Sequence, residues 1–140
     1  MTTIEEALEG STPLAMKVRA LGPYRSANEM IDQMRATLPT LSEEEKVATL
    51  NAHPRIGEDP GRLSARSLAE QGSDSLPELE RLNAEYERRF GFRFVVFVNR
   101  RPKAEILPVL RERIRRTPEQ ELETALDELV AIAEDRWRRG

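Results

Sequence analysis

The sequence predicts an all-α fold, a single compact bundle of about eight helices spanning residues 1–140 as one domain. Three observations carry this. Four S/T-x-x-E/Q capping boxes punctuate the chain: Ser26–Glu29, Ser42–Glu45, Ser75–Glu78 and Thr117–Gln120. In such a box the hydroxyl and the Glu or Gln side chain reciprocally satisfy amide donors that every helix start leaves unpaired. Apolar residues also recur at helical spacing, most clearly Leu122, Ala125, Leu126, Leu129, Ile132 and Ala133. Lastly, only one segment reads as a strand, and it has no evident partner. A chain of 140 residues is long enough to bury one core.

Taken in order, helices are expected near 3–9, 13–21, 27–37, 43–52, 65–71, 76–90, 102–115 and 118–138. Pro13 opens the second and Gly22 closes it. The capping boxes open the third, fourth, sixth and eighth, the last with Pro118 at its first position, where a missing N–H is harmless. Pro108 removes one hydrogen bond from the seventh and is expected to kink it. The stretch PRIGEDPGRL, residues 54–63, carries two prolines and two glycines and reads as loop. The strand-like segment is FGFRFVVFVN, residues 90–99, which holds all four phenylalanines of the chain and three valines. A lone strand leaves its ladder groups unpaired. It is therefore a core-filling run, a disguised helix start, or extended backbone offered to something.

Composition narrows the function classes. Charged residues make up 34%, aromatics 5% and hydrophobics 39%, with a net charge of -3, so there is no basic footprint for nucleic acid. No cysteine is present, which removes disulfides and thiolate metal sites, and a single histidine argues against a His-rich metal centre. Neither a signal peptide nor a membrane-length apolar run stands out, and the C-terminal RWRRG is not a peroxisomal address. The default expectation is a cytoplasmic protein.

Three groups of residues could carry chemistry. His53, the only histidine, ends a helical pattern whose apolar positions include Val47 and Leu50, and Pro54 stops that helix. A helix C-terminus favours a cation, so the dipole supports a protonated imidazole, either as a simple cap or as a proton carrier titrating near neutrality. Arg136 continues the apolar stripe of the last helix. On a buried face its guanidinium needs an anionic or carbonyl partner; at a fraying end it would merely reach out to water. Ser67, Glu70 and Gln71 lie within about one turn of each other on a helix, bringing a hydroxyl, a carboxylate and an amide to one face. That trio is ordinary helix surface unless it stands opposite His53.

The blocks HPRIGE, SLAEQ, LNAEYERRFGFRFVVFV and ELETALDELVAIAEDR, in this order, resemble the signature blocks of 2-oxo-4-hydroxy-4-carboxy-5-ureidoimidazoline (OHCU) decarboxylase, the enzyme that completes conversion of urate to (S)-allantoin. ALGPYRSANEMI is similar to a further block of that family, with Tyr24 in place of Phe. The likeness runs from about residue 13 to residue 137. It implies an all-helical, homodimeric enzyme without cofactor or metal, acting on OHCU. It further implies that His53 is the catalytic acid/base, assisted by Glu70, and that Pro54 lines the substrate. Ser67 and Gln71 would hold the substrate, the backbone of Phe94, Val95, Val96, Phe97 and Val98 would contact it, and Arg136 would bind it. Compared with the family pattern, the N-terminal part and residues 72–82 are shortened. HPRIG also stands where animal members have His-Pro-Asp-Leu-Ala-Gly. Two other readings stay open: a paralogous enzyme acting on a different ureido or imidazoline acid, and a non-catalytic helical interaction module.

Overall fold

The computed structural model describes residues 3–55 and 77–139. Among these the chain forms seven α-helices and no strand: α1 (Ile4–Ala7), α2 (Pro13–Leu21), α3 (Ala27–Thr37), α4 (Glu43–Asn51), α5 (Pro77–Phe90), α6 (Lys103–Arg113) and α7 (Pro118–Arg139). A short 3₁₀ turn, Leu38–Thr40, joins α3 to the start of α4. The class is all-α, as the capping boxes predict. The helix expected over 65–71 and the box beginning at Ser75 lie outside the described residues.

Capping chemistry fixes most helix starts. At α4 the box closes in both directions: the Glu45 amide donates to Ser42 Oγ at 3.1 Å, and the Ser42 amide donates to Glu45 Oε1 at 2.8 Å. At α7 the Thr117 and Gln120 pair does the same, at 3.1 and 3.2 Å. Ser26 supplies the hydroxyl half of its box, accepting from the Glu29 amide at 3.1 Å. Thr3 and Thr12 cap α1 and α2 in the same way, accepting from Glu6 and Ala15. Pro108 sits inside α6, which runs through it.

Gly22 does end α2, but with an ordinary φ of -78° rather than the left-handed geometry typical of a closing glycine. Crowding explains the residue instead. A Cβ there would lie 3.0 Å from Tyr24 Cε2, because the Tyr24 ring folds back so that its hydroxyl donates to the Val18 carbonyl.

The long α7 is the spine. It buries Ala125, Leu126, Leu129, Val130, Ile132 and Ala133, and α1, α3 and α4 all pack on it. Helix α2 bridges α1, α3 and α4, and Thr49 of α4 accepts from the Leu14 amide at 3.4 Å where α2 crosses. Helix α5 pairs with α6. Among the described residues no helix is long and apolar enough to cross a membrane.

Candidate active site

His53 lies two residues beyond α4, with Ala52 as the cap and Pro54 preventing continuation. Only 4% of it is exposed. Its amide donates to the Leu50 carbonyl at 3.1 Å, and its own carbonyl accepts from Arg93 Nη1 at 2.9 Å. The backbone is therefore clamped from both sides. The imidazole Nε2 is buried without a hydrogen-bond partner among the described residues. A histidine serving only as a cap would spend such an atom on a helix carbonyl.

Electrostatics overturn the expectation of a cation titrating near neutrality. Burial first, and then the positive charge of Arg136, lower the His53 pKa from 6.5 to about 3. The dipole contribution at a helix C-terminus is smaller than the desolvation of a charge in this interior. The resting imidazole is neutral.

Arg136 does not reach out to water. It is 2% exposed, its Nη1 donates to the Ala7 carbonyl at 3.3 Å, and its Nη2 lies 2.9 Å from Glu9 Oε1. The required anion and carbonyl both come from the end of α1. Glu9 meets Arg136 across nearly the whole chain, so no local pattern in the sequence announces it.

The segment after α5 resolves differently from a disguised helix. Gly91, with φ +81°, closes α5 by donating to the Glu87 carbonyl at 2.9 Å, and residues 93–98 then run with neither helix nor strand. Phe92, Phe94, Val95, Val96 and Val98 are buried, so the run fills the core. Side chains, not a neighbouring strand, meet part of its backbone. The Arg93 amide donates to Asn51 Oδ1 at 2.9 Å, and the Phe97 amide to Glu128 Oε1 at 3.3 Å. Arg113 Nη1 donates to the Val95 carbonyl at 2.7 Å, and Arg101 Nη2 to that of Phe97 at 2.6 Å. A turn with positive φ at Asn99 and Arg100 ends the run.

Behind it stands a buried ionic cluster that sequence reasoning did not anticipate. Glu121, fully buried, accepts from Tyr86 Oη at 2.6 Å, Arg113 Nε at 2.8 Å and Arg116 Nη1 at 2.9 Å. Burial and the Glu121 bond push the Tyr86 phenol far up, so it remains a donor. Arg113 also stacks over the Phe94 ring at 4.6 Å. Thus α5, α6 and α7 jointly fix where Phe94 and Val95 lie.

The structure therefore brings His53, Arg136 and the start of the strand-like segment into one electrostatic neighbourhood, with half-buried Pro54 beside His53. Ser67, Glu70 and Gln71 lie outside the described residues. Among the described residues no cluster of three or more acidic or histidine side chains could hold a metal ion.

Comparison with known proteins places the chain in a family. The family profile described as OHCU decarboxylase matches residues 1–138. The chain is 34% identical over 137 residues to the 2-oxo-4-hydroxy-4-carboxy-5-ureidoimidazoline decarboxylase of Haloferax volcanii, covering 92% of this chain and 81% of that protein. It is 31% identical over 131 residues to the enzyme of the same name from Mus musculus, covering 86% and 74%. The crystal structure of OHCU decarboxylase in the presence of (S)-allantoin superposes with a TM-score of 0.73 at 28% identity, covering 97% of this chain and 95% of that one. With a profile match over nearly its whole length and a shared helical architecture, this chain belongs to the OHCU decarboxylase family of carboxy-lyases.

Proposed function

We propose that this chain, as a single domain over residues 1–140, decarboxylates OHCU to (S)-allantoin in urate degradation, with His53 as the proton-transfer residue. The observation that carries the reading is a buried, neutral imidazole whose Nε2 has no partner among the described residues, placed in the field of a buried arginine. Such an atom is a proton acceptor awaiting a hydroxyl.

The substrate bears a carboxylate and a hydroxyl on one ring carbon, next to a C=N bond. When the bond to the carboxylate breaks, CO₂ departs and the electron pair moves into the adjacent C=N, whose nitrogen takes a proton from solvent. His53 then accepts the hydroxyl proton as that oxygen becomes a carbonyl, and returns it to the neighbouring carbon on one face. The sum is one proton taken up and CO₂ released, which balances the lost carboxylate. Because the folded environment disfavours imidazolium, the proton held on His53 is a strong acid for the second transfer. Glu70 is assigned to orient the imidazole, and Ser67, Gln71, Pro54 and Arg136 to hold the substrate. The backbone of Phe94, Val95, Val96, Phe97 and Val98 is assigned to its polar edges. The apolar side chains of that segment suit the departure of neutral CO₂. The family resemblance supports a homodimer, and a cytoplasmic setting is the default expectation from the sequence.

The test generates OHCU in situ from urate with urate oxidase and hydroxyisourate hydrolase and follows circular dichroism of the product. Wild-type protein should produce an optically active signal rapidly. His53→Asn should lose about 10²–10⁴-fold in rate while keeping its far-UV spectrum. A racemic background with wild-type protein would sink the assignment and favour a paralogue acting on another ureido acid. Near-normal turnover by the variant would sink the role of His53.

A further inference from the structure

We infer that the cleft between the α2–α3 turn and the last turn of α7 is a separate binding site for a small aromatic anion. The ring would lie against Trp137 and Tyr24, and the charge would meet Arg25. The cleft encloses about 610 Å³, within the range of small-molecule sites, and neither His53 nor Arg136 lines it. Its apolar lining comes from Ile4, Pro23, Tyr24, Trp137 and the buried Met30. The chain has one Trp, two Tyr and four Phe. Tyr86 and all four Phe lie on α5 and the run after it, so the remaining two rings both line this cleft. Among the described residues neither Tyr24 nor Trp137 packs on another ring, which leaves their cleft-facing surfaces to a third.

One wall is preformed. The Tyr24 hydroxyl donates to the Val18 carbonyl and its ring packs over Gly22, so little ordering accompanies binding. Trp137 is half-buried, and its indole N–H makes no hydrogen bond among the described residues. Charge then decides the class of ligand. Two guanidinium groups line the cleft and no carboxylate does. Arg19 is held by Glu5 in an ion pair. Burial, and then the charge of Glu29, raise the Tyr24 phenol, so that acid stands nearby. Even so, Arg25 forms no ion pair or hydrogen bond with it or with any other described residue. Arg25 thus sets an uncompensated, exposed cation beside an apolar cleft, where a carboxylate can take two prongs of the fork. A neutral ring would leave that charge unanswered, and a cationic ligand would be repelled by it. An aliphatic acid would meet Arg25 but forgo the ring contacts.

The test uses the single tryptophan as reporter, so occupancy of the cleft is read independently of OHCU turnover. The full chain is titrated with 4-nitrobenzoate, whose ring quenches indole emission on contact, and with the neutral 4-nitrobenzamide. N-acetyltryptophanamide serves as the control for collision and absorption. Nitrobenzoate should quench Trp137 saturably, with a Kd on the order of 10⁻⁴–10⁻³ M, and bind about tenfold tighter than the amide. Arg25→Gln should remove that tenfold preference while leaving amide binding and the far-UV spectrum as in wild type. Ala27→Phe, which fills the cleft from the first turn of α3, should abolish saturable quenching by both probes. Quenching no steeper than the control, equal affinity for anion and amide, or a preference that survives Arg25→Gln would each overturn the inference. So would saturable quenching that persists in Ala27→Phe, or calorimetric binding without a change in Trp137 emission, either of which would put the ligand elsewhere. Quenching that disappears as protein concentration rises would overturn it too, by showing that a second copy of the chain covers this face.

Discussion

The buried cluster around Glu121 gives the sharpest stability prediction. Glu121 is fully buried and holds Arg113, whose side chain is 7% exposed, together with Arg116 and the Tyr86 hydroxyl. Glu121→Leu strands the Arg113 charge in the interior, and breaking one side of such a pair removes about 3–5 kcal/mol. For a chain of this size each kcal/mol lowers Tm by about 3 °C, so a fall of roughly 10–15 °C follows. Arg113 does a second job, donating to the Val95 carbonyl at 2.7 Å. Adding Arg113→Met removes the stranded charge but orphans that carbonyl, a residual loss of about 1–3 kcal/mol. The double variant is therefore expected to be more stable than Glu121→Leu alone, yet less stable than wild type. Urea unfolding followed by far-UV circular dichroism measures both. A loss under about 1 kcal/mol for the single variant, or a double variant no better than the single, would refute the account.

Folding keeps His53 neutral, with its pKa near 3 against 6.5 unfolded, so its contribution is intact above pH 6.5 and is lost as pH falls toward 3. Between about pH 8 and pH 5 wild-type protein should lose about 2 kcal/mol more than His53→Gln, read from paired denaturant titrations; parallel curves would refute the neutral assignment. Arg93→Met removes the donor to the His53 carbonyl, and kcat should fall about tenfold with the far-UV spectrum unchanged; full activity would show the clamp to be dispensable. Gly22→Ala keeps an accessible φ but drives a methyl into the Tyr24 ring, lowering stability by about 1–2 kcal/mol in chemical denaturation, whereas a neutral result would mean the ring moves freely.

How much of this was legible depends on the range of the interaction. Capping boxes are local, so Ser42 with Glu45 and Thr117 with Gln120 announce their helices from four residues each. The stripe that carries Arg136 inward is equally local, with period 3.6. Glu9 and Glu121 could not be read that way. Glu9 meets Arg136 across nearly the whole chain, and Glu121 meets Tyr86 over 35 positions, so only tertiary packing reveals that these acids are buried. The protonation of His53 failed for a related reason. Sequence position gives the helix dipole, but desolvation is set by what the rest of the fold lays over the ring.

The strand-like run shows why a local rule can be right about shape and silent about purpose. Its β-branched and aromatic composition does keep it out of a helix, yet no ladder forms among the described residues. Asn51, Arg101, Arg113 and Glu128, drawn from three helices and a turn, take the place of a neighbouring strand for some of its groups. A sheet partner would have consumed the N–H and C=O groups of at least one edge in regular register. Side-chain partners are selective, and they fix the segment from its flanks and rear. Asn51 lies two residues before His53, and Arg93 bonds the His53 carbonyl, so the strand-like run and the histidine are indexed to one another by backbone contacts at both ends of one short link. In that arrangement His53 and the backbone that follows Phe92 keep their separation whatever the side chains on the open side do. Fixed separation of this kind is what the proton transfer proposed for His53 demands of the protein.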